Sequence, residues 1–241
     1  MLKASINLIK DLKKQKRENS SLLFLDNTKI IKDAISHGLK PKYIFVEDEK
    51  LNFWGDEYQI YKVDRKTIEQ LSDSVTPQGV VCVTEYTQDV VVKPKTNFLV
   101  LDRLQDPGNV GTLIRTATAC GFNYVFLVDS VKVNNSKMIR SSVGTVFQNN
   151  VYSLSMDEFI SLIKSWDLPL IKADMTGKDI FKEEFNEIVG VVVGNEGQGV
   201  CEKISNFCKY TIKIPMKEGV ESLNASISGA IIMYQIAKNN F

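Results

Sequence analysis

The sequence has few of the residues that hold metals or build disulfide frameworks. It contains one histidine, His37, and four cysteines at positions 82, 120, 201 and 208, with no Cys-x-x-Cys pair among them. Structural zinc sites need clustered thiolates and imidazoles, and disulfide scaffolds are typical of much shorter secreted chains. We therefore expect no metal site and no disulfide framework.

Long apolar runs and a strong net charge are also missing. No stretch reaches the roughly 20 apolar residues that cross a bilayer, and no signal peptide with an apolar core is evident. The formal net charge is +1, so bulk electrostatics do not indicate a nucleic-acid binder. With 44% hydrophobic and 24% charged residues, the chain is typical of a soluble globular protein, and we expect no membrane partner and a cytoplasmic location.

The charge is unevenly distributed, however. Residues 1–17 have a local net charge of +5, with Asp11 as the one acidic residue and six basic residues, namely Lys3, Lys10, Lys13, Lys14, Lys16 and Arg17. Such a segment either contacts phosphates or forms the solvated face of an amphipathic helix. Taken alone, the pattern favours the solvated face.

Alternating apolar and amphipathic stretches predict two α/β series. The first has helices at 5–16, 28–38 and 63–72 and strands at 21–25, 43–46 and 79–86. The second has strands at 97–102, 124–129, 168–174, 188–194 and 210–215 and helices at 109–121, 157–166, about 198–208 and about 222–239. We therefore expect an α/β protein with domains at 1–90 and 97–241, joined by a linker at 91–96, and a mostly parallel sheet in the second domain. In such sheets ligands bind beyond the carboxyl ends of the strands.

The first loop of interest follows the strand at 97–102 and reads DPGNVGTLIR. Asn109 is a candidate N-cap for the following helix, whose apolar stripe leaves Arg115 free to reach a ligand or another subunit. No acidic residue lies three or four positions from Arg115, which disfavours a simple surface ion pair on the helix.

The second loop, GNEGQG at 194–199, follows a run of valines. Its glycine spacing matches neither the Rossmann fingerprint nor the Walker A motif. Glu196 would repel a phosphate in such a loop, so a neutral or cationic ligand fits better. A tight connection without function is the alternative.

The third loop, IPMKEGVESLNAS, runs from Ile214 into the last helix. Ser222 is a candidate N-cap for that helix, and Asn224, Ser226 and Ser228 place polar groups in its first turn. Taken alone, this pattern suits a well-capped packing helix as well as a binding site.

Together the three loops resemble the signature motifs of the SpoU/TrmH family of RNA 2′-O-ribose methyltransferases, in the SPOUT class. Asn109-x-Gly111-x-x-x-Arg115 resembles the first motif and residues 194–197 resemble the second. Ile214-Pro215-Met216, followed by residues 221–226, resembles the third. Residues 1–90 are similar to the L30e-like substrate-recognition domain of the family, including the sequence TPQG at 76–79. The chain departs from the family at Asp26-Asn27, where members often have Glu-Gly.

The resemblance implies a C-terminal trefoil knot, a homodimer formed through the C-terminal domain, and S-adenosylmethionine as the cofactor. The residues that it places at the cofactor are Met175, Thr176, Gly194, Asn195, Gly197, Ile214, Met216 and Leu223. Those that it places at the reacting groups are Asn109, Arg115, Glu196, Ser222 and Asn224. We expect Arg115 to act as a phosphate clamp and electrostatic stabiliser, because an arginine is essentially never neutral in a protein.

The implied reaction is methyl transfer to a ribose 2′-hydroxyl of structured RNA, with ribosomal RNA preferred and transfer RNA as the alternative. The candidate RNA contacts are Lys13, Lys14, Lys16, Arg17 and Arg140. Two further alternatives are an RNA-binding module with a silent cofactor pocket and a Rossmann enzyme that uses a dinucleotide, although the glycine spacing disfavours the latter.

Overall fold

A computed structural model of the chain describes residues 2–18, 21–48 and 58–239. The chain divides into two compact units, Met1–Gln88 and Asp89–Phe241. In the described residues, no helix has the length and apolar character to span a membrane.

The first unit is a mixed sheet with helices. Its described strands are β1 (Leu2–Lys3), β2 (Leu22–Leu25), β3 (Pro41–Val46), β4 (Ile60–Lys62) and β5 (Val80–Glu85). They lie in the order β1-β4-β3-β5-β2, with β5 antiparallel to both β2 and β3. The described helices are α1 (Ile6–Arg17), α2 (Thr28–Ser36) and α3 (Arg65–Leu71). Leu12 of α1 and Ile68 of α3 pack with Phe24 and Phe45 of the sheet in one core.

The Asp26-Asn27 pair has a structural role in this unit. Asp26 is buried and accepts hydrogen bonds from Ser72 Oγ (2.6 Å) and from the backbone amides of Asp73 and Ser74. Asn27 caps α2 by accepting from Ile30 N (3.1 Å). At the position where the chain departs from the family pattern, Asp26 therefore connects the end of β2 to the segment after α3.

The second unit is a parallel sheet. Its strands are β6 (Phe98–Asp102), β7 (Tyr124–Val128), β8 (Asn150–Leu154), β9 (Leu170–Asp179), β10 (Gly190–Val193) and β11 (Cys208–Lys213). They lie in the order β11-β9-β10-β6-β7-β8, and each neighbouring pair is parallel. The expected mostly parallel α/β architecture is confirmed. Strands such as β6 and β7 are apolar along their length because helices cover both faces.

The core on one face of this sheet centres on Phe126. Its ring stacks on Tyr152 at 5.5 Å and contacts Phe98, Phe159 and Trp166 at centroid distances of 5.5 to 5.9 Å. These aromatic contacts come from three strands and the helix Met156–Trp166, so they stabilise the strand order that sets the positions of the loops.

Helices complete the unit. They are α4 (Pro107–Ala119), α5 (Ser136–Ser141), α6 (Met156–Trp166), α7 (Glu202–Ser205) and α8 (Ala225–Ala237). Helix α5 and strand β8 were not predicted, because both mix polar and apolar residues. The helix expected at 198–208 is shorter than predicted, since it spans Glu202–Ser205 and residues 195–199 form a turn closed by the bridge between Asn195 and Gly199.

Both expected N-caps of the site helices were wrong. Asp106 caps α4 by accepting from Gly108 N and Asn109 N, with Pro107 in the first turn. The hydrogen bond from Gly108 lowers the Asp106 pKa below its ordinary value. Asn224, rather than Ser222, caps α8 by accepting from Ser226 N (2.8 Å) and Ile227 N (3.3 Å). Asn109 and Ser222 are thereby free of capping roles.

Candidate functional site

A cavity of about 430 Å³ lies at the carboxyl edge of the parallel sheet. Its lining comes from the end of β10, the loop that follows it and the start of α8, and includes Val193, Gly194, Asn195, Glu196, Leu223, Asn224 and Gly229. A smaller cavity of about 160 Å³ has Ala173, Ser222, Leu223 and Ser228 in its lining, as the larger one does, and also includes Met175, Ile214 and Met216. The two cavities therefore adjoin each other. They lie at the edge of the sheet where ligands of parallel α/β proteins bind.

Most of the residues expected at the cofactor line these cavities. Gly194, Asn195 and Leu223 line the larger one, and Met175, Ile214, Met216 and Leu223 line the smaller one. Thr176 and Gly197 are not among the lining residues. Their hydrogen bonds shape the turns instead, because Thr176 Oγ1 donates to Asp174 Oδ1 (2.7 Å) and Gly197 N donates to Asn195 Oδ1 (3.0 Å).

Met175 and Thr176 lie within β9 rather than after it. The strand continues to Asp179, but its pairing with β11 passes from Lys172 directly to Lys178, so the intervening residues bulge out of the ladder. The bulge leaves Met175 57% exposed beside the smaller cavity. Hydrogen bonds from Thr176 to Asp174 lower the pKa of that carboxyl group.

A chain of side-chain hydrogen bonds joins the three loops. Asn109 Nδ2 donates to Glu196 Oε1 (3.0 Å), and Asn224 Nδ2 donates to Asn109 Oδ1 (3.1 Å). These residues are 87 and 115 positions apart in sequence. The amide of Asn109 is thus the central link, acting as donor to the second loop and acceptor from the third.

The 194–199 loop is packed tightly against itself. A Cβ atom on Gly194 would overlap the backbone of Gly199 and Val200, so the close approach requires glycine at position 194. Asn195 stabilises the turn by accepting from the amides of Gly197 and Gln198 with Oδ1.

Arg115 is exposed on α4, while Leu113 and Ile114 beside it are buried. Within the described part of the chain, Arg115 makes no hydrogen bond or ion pair. Its guanidinium group is therefore available to a ligand or to another protein chain.

The candidate RNA contacts differ in their surroundings. Lys14 and Arg17 are exposed on α1, and Lys13 donates to Gln70 Oε1 (3.1 Å). The Lys16 side chain is only 18% exposed, pairs with Asp73 (2.7 Å) and donates to the carbonyl of Leu71, so a phosphate would have to compete with these partners. Arg140 is half-buried on α5 in the second unit.

Two neighbouring residues at this edge, Asp102 and Arg103, are not among the site residues expected from the sequence. Asp102 ends β6 fully buried, and Arg103 Nε donates to its Oδ1 (2.9 Å). This hydrogen bond raises the pKa of the Arg103 guanidinium above its ordinary value. A signal was present in the sequence, since FLVLDR ends an apolar strand with an opposite-charge pair.

No group of three or more His, Cys, Asp or Glu residues in the described ranges is arranged to hold a metal ion. Burial raises the pKa of Cys82 and of Cys208 to about 12, and that of Cys120 to about 11. At neutral pH these three thiols stay protonated, which disfavours nucleophilic chemistry at them.

The comparisons with known proteins all find similarity to SpoU or rRNA methyltransferases. The family model described as the SpoU rRNA methylase family matches residues 96–234. The 23S rRNA (guanosine(2553)-2′-O)-methyltransferase of Bacillus subtilis is 25% identical over 95% of both chains. The 23S rRNA (uridine(2479)-2′-O)-methyltransferase of Streptomyces viridochromogenes is 25% identical over 93% of this chain and 85% of its own length. Among solved structures, the SpoU methyltransferase AviRb of Streptomyces viridochromogenes in complex with AdoMet superposes with a TM-score of 0.86 at 22% identity, covering 98% of both chains.

Proposed function

Because the chain belongs to the SpoU rRNA methylase family, we propose that it transfers a methyl group from S-adenosylmethionine to a ribose 2′-hydroxyl of ribosomal RNA. The observation that carries this proposal is the hydrogen-bond chain Glu196–Asn109–Asn224. It brings the three motif loops together at the cavity on the carboxyl edge of the sheet. The activities of the two rRNA-modifying relatives support ribosomal RNA over transfer RNA as the substrate.

The cavity fits this cofactor in size and in charge. Together the two cavities offer space in the range typical of small-molecule sites. Among the described lining residues, the larger cavity has Glu196 and no lysine or arginine, and the smaller cavity has Asp174 and Glu221 against Lys213. Such a lining suits a sulfonium cation better than the phosphates of a dinucleotide. S-adenosylmethionine, when bound, supplies an electrophilic methyl group.

The residues of the chain would divide the remaining work. Gly194, Ile214 and Leu223 offer backbone groups at the cavity walls to bind the cofactor. Asn109 and Asn224 order the site, and Ser222 lies where it can contact either the cofactor or the RNA. Arg115 clamps a substrate phosphate and stabilises the developing alkoxide, while a substrate phosphate or water takes the proton, since a guanidinium group does not act as a base.

A homodimer would complete the site. The residues Ile227 and Tyr234 of α8 are each 50% exposed, although this helix is apolar through most of its length. Exposed apolar side chains seven positions apart lie on the same side of a helix, and such a surface favours a protein interface. A two-fold arrangement through α8 and α4 would bring the exposed Arg115 of one subunit to the cofactor of the other.

We also propose the trefoil knot. The chain passes from β9 to β10 and then crosses back to β11 on the far side of β9. A Cβ atom on Gly177 would overlap the backbone of Ile212, so the bulge of β9 and β11 pass very close to each other. This strand order and the close approach of β9 and β11 support a threaded chain.

The first unit is proposed to select the RNA. Its α1 carries Lys14 and Arg17 exposed, which suits contact with phosphates. An unstacked loop nucleotide is the expected target because the grooves of A-form RNA hide the base edges. This substrate implies a cytoplasmic enzyme.

The proposal is tested in two measurements on the full chain. Isothermal titration with S-adenosylmethionine measures the cofactor site, and transfer of tritium from labelled cofactor to ribosomal RNA from cells lacking the gene measures the reaction. We expect binding and transfer, with one 2′-O-methylated nucleotide restored. Binding without transfer to any cellular RNA would indicate a silent module, and failure to bind would contradict the cofactor assignment.

Exchange of Asn109 for aspartate tests the central link of the hydrogen-bond chain. Asp106 remains the N-cap of α4, and a carboxylate in the first turn of a helix is favourable, so the helix should tolerate the change. At the centre of the hydrogen-bond chain, aspartate cannot donate to Glu196 and places a second carboxylate beside it. We expect Asn109→Asp to lower kcat/KM about tenfold or more while the melting temperature stays near that of the wild type. Wild-type kcat/KM in this variant would show that the link has no role.

A further inference from the structure

The buried Asp102 carboxylate is an anchor point at the carboxyl end of β6. Besides Arg103 Nε, it accepts hydrogen bonds from Arg103 Nη2 (3.3 Å) and from the backbone amide of Cys201 (2.6 Å). A buried charge is stable only when it is paired and hydrogen-bonded, so Asp102 holds both partners firmly. One partner, Cys201, lies two residues after the end of the 194–199 loop.

Arg103 extends this anchor to the loop itself. Its Nη1 donates to Gln198 Oε1 (2.8 Å) and its Nη2 donates to Gly199 O (3.2 Å). Its own carbonyl accepts from Asn195 Nδ2 (3.0 Å). One arginine thus holds three residues of the loop, at both ends of the turn.

Few contacts from the rest of the chain hold the loop in place. Residues 196–199 are exposed and contribute no apolar side chain to a core. Within the described part of the chain, the hydrogen bonds that reach residues 195–199 from outside the loop come from Arg103 and Asn109. Hydrogen bonds to Asn195 from the amides of Gly197, Gln198 and Gly199 close the turn internally. Asn109 reaches the loop at Glu196 alone, so among the described residues Arg103 is what fixes the rest of the turn against the end of β6.

The backbone of Arg103 is also unusual. It adopts the left-handed region with φ 56°, which is uncommon for a residue other than glycine. Its amide donates to Val128 O (2.9 Å) of β7, so this conformation is fixed from the sheet side. A strained conformation persists where the surrounding contacts determine it, and such positions cluster at functional sites.

We propose that Arg103 is a positioning residue that holds the 194–199 loop in its ligand-binding shape, with Asp102 as the anchor. The loop contributes Gly194, Asn195, Glu196 and Gly199 to the larger cavity, so its shape sets the cofactor wall. The cofactor part of this inference rests on the proposed function. The loop part concerns the protein without ligand and is independent of it.

Hydrogen exchange of the ligand-free protein tests the loop part. In Arg103→Ala we expect the peptide that covers residues 194–201 to exchange at least about tenfold faster, since lost hydrogen bonds to a charged group increase local opening. Gln198→Ala removes one contact and leaves the Asp102 pair intact, so it keeps the fold and should show a smaller increase. Lys209→Ala is the matched control, because Lys209 pairs with Glu187 near the opposite edge of the same sheet.

Steady-state kinetics test the cofactor part. For Arg103→Ala we expect KM for S-adenosylmethionine to rise about tenfold with kcat within about threefold of wild type, because Arg103 orders the wall and does not touch the reacting atoms. Arg103→Lys keeps the charge beside Asp102 but cannot reach both loop partners with one ammonium group. We expect Arg103→Lys to have the wild-type melting temperature and a KM between those of the wild type and Arg103→Ala. If Arg103 were merely structural, both the melting temperature and KM would return to the wild-type values.

Two results would overturn the proposal. One is unchanged exchange of residues 194–201 in folded Arg103→Ala. The other is a fall in kcat at unchanged KM, which would place Arg103 in the chemistry. If the wild type bound no S-adenosylmethionine, the proposed function would fail, while the exchange experiment would still decide whether Arg103 positions the loop.

Discussion

Arg115→Ala is expected to lower methyl transfer by at least about a hundredfold while the affinity for S-adenosylmethionine changes little. Loss of a single group that stabilises developing negative charge costs roughly this much in rate. The side chain is exposed and makes no hydrogen bond or ion pair among the described residues, so its removal should leave the fold intact. Tritium transfer at saturating cofactor, paired with isothermal titration, measures both effects.

Arg115→Lys serves as the control for charge. Lysine keeps the positive charge but lacks the planar fork that binds phosphate through two hydrogen bonds, so we expect a partial recovery of rate. Equal activity in wild type and Arg115→Ala would exclude Arg115 from the reaction. A large loss of cofactor affinity would instead assign it to the cofactor site.

Gly194→Ala is expected to weaken cofactor binding by about a hundredfold or more. The added Cβ would overlap the backbone of Gly199 and Val200, which no side-chain rotation relieves. The loop must therefore move, and it carries one wall of the cavity. Titration with S-adenosylmethionine measures the loss, and hydrogen exchange of residues 194–201 measures the movement.

Gly197→Ala is the matched variant in the same loop. A Cβ at position 197 meets only Asn195 Oδ1 at 3.7 Å, an ordinary contact, and Gly197 does not line either cavity. We therefore expect a much smaller change in affinity. If both alanine variants weakened binding equally, close backbone packing at Gly194 would not be the cause.

Five of the six parallel strands of the second unit were predictable from local sequence patterns. Strands such as β6, β7 and β10 are continuous apolar runs, which is what burial on both faces requires. The strand β8 was not predicted because Asn150–Leu154 mixes polar and apolar residues, and its place at the edge of the sheet comes from pairing with β7. Helix α5 has six residues and no clear apolar period to reveal it.

The caps were harder to predict for a different reason. Asp106 and Asn109 both precede the apolar stripe of α4, and Ser222 and Asn224 both precede α8. Each is a good capping residue type, so the sequence offers two choices at each helix. Backbone geometry selects one, and the other is left to contact the rest of the site.

The sequence by itself determined the α/β architecture, the family resemblance and the three loops. Strand burial, helix periodicity and motif residues are local properties, which short stretches of chain are enough to reveal. The tertiary structure alone decided that Asn109 joins Glu196 to Asn224 and that Arg103 holds the 194–199 loop. Those contacts join residues about 90 to 115 positions apart. Their distances follow from the order of the strands in the sheet, which no local pattern encodes.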